Sequence, residues 1–137
     1  MLEEAKSQCS WLIVAVQSDP SLDRPIKNKP IQDYDERITM VQSIKWVDEV
    51  VCYDTEDQLY NLLIDLKPDI RIVGTDWKGK TFTGSELPIP VYFNSRNHTL
   101  STSDLRKRVY EAEVVKRRSK YSKDSLAQLD LRDRLGR

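Results

Sequence analysis

The sequence predicts an α/β domain organised around a parallel sheet. Three observations carry this. Short apolar runs recur along the chain, at 11–16 ("WLIVAV"), 48–53 ("DEVVCY"), 69–74 ("DIRIVG") and 89–93 ("IPVYF"). Stretches with helical apolar spacing separate the first three of them. The resulting order is helix, strand, helix, strand, helix, strand, strand, helix, which suits parallel strands covered on both faces. A chain of 137 residues can bury one core without staples.

The elements follow in order. "MLEEAKSQCS" spaces Leu2, Ala5 and Cys9 for a helix, but no capping residue precedes the pattern, so it reads as the second half of one. "WLIVAV" is unbroken and apolar, as in a strand covered on both sides. Residues 17–33 form a long loop with three prolines and two lysines, of the kind that is functional or disordered. "DERITMVQSIKWV" (35–47) places Ile38, Val41, Ile44 and Val47 on one helical stripe. "TEDQLYNLLIDLK" (55–67) is a second amphipathic helix, capped by Thr55 with Gln58 three residues on, and stopped by Pro68. Two short strands follow, and a helix opens near "STSDLRKRV" (101–109).

From Glu111 the composition turns mostly charged, with Val114, Val115, Leu126, Leu129 and Leu135 as a weak stripe. The expected division is therefore 1–111 as the α/β domain and 112–137 as a charged helical tail. The tail either lies on the domain or a partner, or is a solvated, frayed helix.

Composition removes several classes. Lys and Arg number 22 and Asp and Glu 22, so no global field attracts nucleic acid or a membrane surface. Cys9 and Cys52 are too isolated for a disulfide framework or a zinc site and read as buried thiols. His98 has no ligand partners at metal spacing. No apolar run approaches the ~20 residues of a membrane span. "MLEEAK" lacks the pattern of a signal peptide, so a cytoplasmic location is expected.

In an open parallel sheet, ligands bind beyond the carboxyl ends of the strands. Three polar features fall there: Lys27 and Lys29 with Arg37; "GTDWKGK" (74–80); and "SRNHTLSTSD" (95–104). Singly each has a plain explanation. Two loop lysines are solvated, Asp76 makes an Asx turn, Trp77 is a rim contact, and Ser101–Ser103 cap a helix. Together they suit a nucleotide, with cations and a helix N-terminus for phosphates and an acid for ribose or base.

These residues carry a resemblance. "RIVGTDWKGK", "SRNHTLSTSDLRKRV" and "DERITMVQSIKWVDEV" are similar to the cytidylyltransferase family of nucleotidyltransferases, most of all its glycerol-3-phosphate type. Its most specific part is an arginine followed by an (Ile/Leu)-Ser-Thr-(Ser/Thr) helix start, here Arg96 with Leu100, Ser101, Thr102 and Ser103. The resemblance runs from Met1 to about Glu111 and implies a Rossmann-like nucleotidyltransferase fold. It implies that Arg96, Ser101, Thr102 and Ser103 hold the triphosphate and that Asp76 borders the nucleotide. Lys27, Lys29 and Arg37 would face phosphates of the nucleotide or acceptor. The implied reaction joins CTP to a phosphorylated alcohol, glycerol 3-phosphate, releasing pyrophosphate, with Mg²⁺ escorting the triphosphate.

The sequence also departs from the family. Thr99 stands where a glycine is common and Lys45 where an arginine is usual. The family's first strand and the His-x-Gly-His motif after it, whose histidines donate to the α-phosphate, have no counterpart, for the one histidine is His98. Without that central strand the remaining strands are expected to separate and expose unpaired edges. The expectation is a fragment, an internal start, or a non-catalytic assembly module, inactive alone. A homo-oligomer or a partner chain would cover the edge.

Overall fold

In a computed structural model, which describes residues 1–136, the chain divides into two compact units, Met1–Arg96 and a second beginning at Asn97. The first unit alternates helices and strands: α1 (Leu2–Ser7), β1 (Ile13–Gln17), α2 (Pro20–Asp23), α3 (Tyr34–Gln42), β2 (Glu49–Tyr53), α4 (Glu56–Leu66), β3 (Arg71–Gly74) and β4 (Val91–Asn94). A 3-10 turn, Thr75–Trp77, follows β3. The second unit holds α5 (Thr102–Leu135).

All strand pairing among the described residues is parallel, and it falls into two pairs rather than one sheet. β1 pairs with β2, Ile13 opposite Glu49 through Gln17 opposite Tyr53. β3 pairs with β4, Arg71 opposite Val91 through Gly74 opposite Asn94. The fold is thus α/β with short parallel strands, as in a Rossmann-like nucleotidyltransferase, and the strands are separated as expected.

Helix starts are set by side-chain caps. Asp33 accepts from the Glu36 amide at 2.8 Å while the Glu36 carboxylate accepts from the Asp33 amide at 2.9 Å, a reciprocal box at the start of α3. Thr55 caps α4 through the Gln58 amide, and the Gln58 side chain accepts from the Asp54 amide at 2.6 Å. Lys67 then ends α4 in the left-handed conformation, one residue before Pro68. Within the long loop, Asp19 and Pro20 start a short helix that the composition concealed.

α3 ends at Gln42, five residues before the apolar stripe does. Ser43 donates its hydroxyl to the Met40 carbonyl at 2.8 Å, and Ile44 and Val47 close successive tight turns. The amides of Asp48 and Glu49 must reach the Leu12 carbonyl to start the β1–β2 ladder, so the chain leaves the helical path early.

The buried apolar residues are Ala5, Leu12, Val16 and Leu63, with Gln17 and Asn94 as buried polar side chains. α1 ties the two strand pairs together. Lys6 pairs with Asp48 at 2.5 Å, and the Asp48 carboxylate also accepts from the Leu12 amide at 2.7 Å. At the other end Glu4 accepts from the amide and hydroxyl of Ser95 and the hydroxyl of Tyr92. The reading of both cysteines as buried is corrected here: Cys9 is half-buried and Cys52 exposed. Cys52 lies on β2, the last strand of a two-stranded sheet, where apolar sequence neighbours do not guarantee cover.

α5 runs without interruption through position 111, where the composition changes. None of its described side chains is buried. Ion pairs one turn apart line it, among them Asp104 with Arg108 and Glu113 with Arg117, each worth about 0.3–0.5 kcal/mol. Among the described residues no helix is long and apolar enough to cross a membrane.

Candidate functional site

The polar residues singled out in the sequence lie in segments that leave the carboxyl ends of the parallel strands, and they gather in separate groups. After β1, Asp19 accepts from the amide and hydroxyl of Ser21 at 2.9 and 2.6 Å. The Ser21 hydroxyl, the largest cause, holds its carboxyl below the usual range against a burial effect that raises it, and the charges of Lys29 and Arg37 add to the lowering. Lys29 and Arg37 are therefore both close to Asp19. Arg37 is also engaged by the main chain: its guanidinium donates to the carbonyls of Gln17 and Ser18 and stacks over the Tyr34 ring at 5.6 Å. Tyr34 in turn donates its hydroxyl to the Val16 carbonyl at 2.9 Å, and burial, the main cause, pushes that hydroxyl's pKa up. Lys27 is exposed farther along the same loop.

After β3 and β4 the second group forms. Adjacent parallel strands deliver Asp76, in the turn after β3, and Arg96, two residues past β4, to the same place. Arg96 Nη1 lies 2.9 Å from Asp76 Oδ2, with both side chains largely solvated. The Thr75 hydroxyl locks the turn by donating to the Asn94 carbonyl at 2.5 Å. An exposed pair of this kind is worth about 0–1 kcal/mol, so a competing anion can take the guanidinium from the carboxylate. Asn94 itself is buried, donating to the Met1 carbonyl at 2.9 Å, while its Oδ1 has no hydrogen-bond partner.

The third group starts α5. Ser101 is the N-cap, its hydroxyl accepting from the Asp104 amide at 3.0 Å. Thr102 and Ser103 are the first two helical residues, both exposed. One hydroxyl of the three thus makes a cap bond and two extend beyond it.

Two features escaped the sequence reading. One is a polar network that joins β1 to the start of α4. The buried Gln17 amide donates to Asp23 and to the Asp54 carbonyl, and Asp23 accepts from the Glu56 amide at 2.7 Å. The other is a cleft of about 770 Å³ bordered by Arg24, Tyr53, Tyr60, Arg71, Trp77 and Phe82. Arg71 is held there by the Thr83 carbonyl and lies over the Phe82 ring at 5.0 Å, and burial draws its pKa down. A lone arginine inside the apolar run "DIRIVG" was the available signal.

Among the described residues no group of three or more His, Cys, Asp or Glu could hold a metal ion.

The chain is 34% identical over 113 residues to the bifunctional protein HldE of Campylobacter concisus, a match that covers 81% of this chain and 24% of that protein. It is 39% identical over 88 residues to HldE of Campylobacter fetus and 40% identical over 88 to HldE of a Nitratiruptor species, each match covering 63% of this chain. These matches span no more than about a quarter of those relatives, 19% of the length of the latter two. The cytidylyltransferase-like family model matches residues 1–108, most of the chain, and this protein belongs to that family.

Proposed function

We propose that the chain is the nucleotide-holding portion of a cytidylyltransferase that takes CTP and a phosphorylated alcohol, glycerol 3-phosphate, to a CDP-alcohol and pyrophosphate. The observation that carries it is the Asp76–Arg96 pair at 2.9 Å, on the carboxyl ends of two adjacent parallel strands. That is where an open α/β sheet binds ligands. By resemblance to the family, Arg96 takes a triphosphate oxygen, and Ser101, Thr102 and Ser103 at the start of α5 are its phosphate-binding hydroxyls. Asp76, once released by Arg96, faces the nucleoside. Lys27 and Lys29 approach the acceptor phosphate, and Arg37 stiffens that loop through the Gln17 and Ser18 carbonyls. Mg²⁺ enters with the triphosphate. The chain alone binds but does not transfer, because it holds no pair of histidine donors for the α-phosphate and each lost donor costs about 10²–10³ in rate.

The test is isothermal titration of CTP, ATP and GTP, with Mg²⁺, into the chain and its Arg96→Ala variant, alongside pyrophosphate release with glycerol 3-phosphate present. CTP is expected to bind best. Arg96→Ala should weaken it by about 1.5–3 kcal/mol, the scale of a charge-assisted hydrogen bond. Equal affinities remove Arg96 from the site, and turnover by the 137-residue chain overturns the account of its chemistry. If no nucleotide binds, a second reading gains: a non-catalytic assembly module that keeps the fold. The exposed Leu126, Leu129 and Leu135 of α5 favour that reading as its contact surface.

A further inference from the structure

Glu56 opens α4, yet its polar groups are spent on two other segments. Its amide donates to Asp23 Oδ2 at 2.7 Å, and its Oε1 lies 3.4 Å from Arg24 Nη2. Its Oε2 accepts from the Thr83 hydroxyl at 2.6 Å, the length of a charge-assisted bond. A glutamate in a first helical turn ordinarily sits in water and acts through the helix dipole alone. Here Thr55 already caps α4 through the Gln58 amide, and the Glu56 side chain is only 29% exposed.

Both tied segments lead to candidate site residues. On one side, Asp23 and Arg24 finish α2, a single turn too short to hold its own shape. The Arg24 amide donates to the Pro20 carbonyl at 3.0 Å and the Lys27 amide to the Arg24 carbonyl at 2.9 Å, so the place of Lys27 follows from that of Arg24. Arg24 Nε is buried without a hydrogen-bond partner among the described residues. Glu56 and the Gln17 oxygen, 3.5 Å away, are left to hold the guanidinium. On the other side, the Thr83 carbonyl accepts from Arg71. The neighbouring Phe82 ring lies against Arg71 at 5.0 Å and meets the ring of Trp77, which follows Asp76, edge-on at 6.4 Å.

We infer that Glu56 is a positioning residue: it fastens the loop that carries Lys27 and Lys29 to the segment after the Asp76 turn, and so sets where an acceptor phosphate sits relative to the nucleotide. The phosphate meets the two ammonium groups and not Glu56, whose charge would repel it. That last part rests on the acceptor reading proposed above, whereas the clasp itself rests on contacts within Met1–Arg96. The two carboxylate oxygens divide the work. Glutamine in place of Glu56 keeps an acceptor for Thr83 but gives Arg24 no charge, and alanine breaks both ties.

The test compares the full chain with Glu56→Ala, Glu56→Gln, Thr83→Val and the Glu56→Ala, Thr83→Val double variant. Trypsin reads the loop at one bond, Lys27–Asn28, since Arg24 and Lys29 each precede a proline. Cleavage at Arg71–Ile72, inside β3, needs wider opening and serves as the reference. Relative to it, cutting at Lys27–Asn28 should rise about fivefold or more in Glu56→Ala and less in Glu56→Gln and Thr83→Val. Glycerol 3-phosphate, titrated calorimetrically, should bind Glu56→Ala about three- to tenfold more weakly. Inorganic triphosphate should bind as before. The double variant should match Glu56→Ala, because Thr83 acts through the carboxylate. Unchanged relative cleavage in Glu56→Ala overturns the inference, and so does a double variant whose losses add. Equal glycerol 3-phosphate affinity, or a parallel loss of triphosphate affinity, overturns the positioning role. If the unaltered chain binds no glycerol 3-phosphate, the acceptor reading falls, and the cleavage ratios alone decide for or against the clasp.

Discussion

Gly84→Ala offers the sharpest numerical check on the packing beside the cleft. Gly84 has φ +74°, and a Cβ added there would lie 2.9 Å from Leu63 Cδ1 and 3.2 Å from both Arg71 Nη1 and Leu87 Cδ1. Two costs follow. Holding alanine in the left-handed region costs about 1–2 kcal/mol. Pressing it against Leu63, itself buried in α4, adds roughly 1–2 kcal/mol, the lower part of the range for overpacking, because the Leu87 and Arg71 ends can shift. The sum is about 2–4 kcal/mol. Leu63→Ala removes the closest atom, so in that background Gly84→Ala should cost only the backbone part, about 1–2 kcal/mol, a coupling measurable by a double-mutant cycle. Urea unfolding followed by circular dichroism on the four proteins gives every number. An identical cost in both backgrounds refutes the steric part. A cost below about 0.5 kcal/mol alone refutes the claim that this segment holds Gly84 in its left-handed conformation.

Three further outcomes are expected. Asp76→Asn frees Arg96 from an exposed pair, so thermal stability should change by no more than about 1 kcal/mol while inorganic triphosphate binds more tightly by titration; weaker binding would show that Asp76 helps hold the ligand. The Glu4 carboxyl is held below its ordinary 4.5, first by the Ser95 hydroxyl, so its tie to β4 contributes stability above that pH and loses it as pH falls through the lowered value. Protection of the Ser95 amide, taken relative to its intrinsic exchange rate at each pH, should therefore fall in acid, and in Glu4→Gln this extra acid sensitivity should vanish. Ser101→Ala should lower the stability of α5 by about 0.5–2 kcal/mol, whereas Thr102→Val and Ser103→Ala should spare the helix and weaken CTP binding, read by circular dichroism and titration.

Much of the fold was legible because its signals are local. "WLIVAV" and "TEDQLYNLLIDLK" announce a strand and a capped helix from within their own residues, and both form nearly where expected. The end of α3 was not legible, since Ile44 and Val47 keep helical spacing while the pull on Asp48 and Glu49 comes from Leu12, some thirty-six residues away. The role of Arg37 shows the same limit. A basic residue at a helix start reads as a phosphate contact, yet its partners are the carbonyls of Gln17 and Ser18, which only the fold brings near.

Asp76 and Arg96 mark the boundary between the two kinds of information. Each was a candidate because it follows a strand, a local fact. That they meet depends on β3 lying beside β4, which no spacing along the chain encodes. The same adjacency bears on the free edge of β3: the amide of Arg71 is spent on Pro90, so Ile72 and Gly74 are left to face the opposite side. One pairing thus sets both the charged pair at the strand ends and the unpaired backbone beside it.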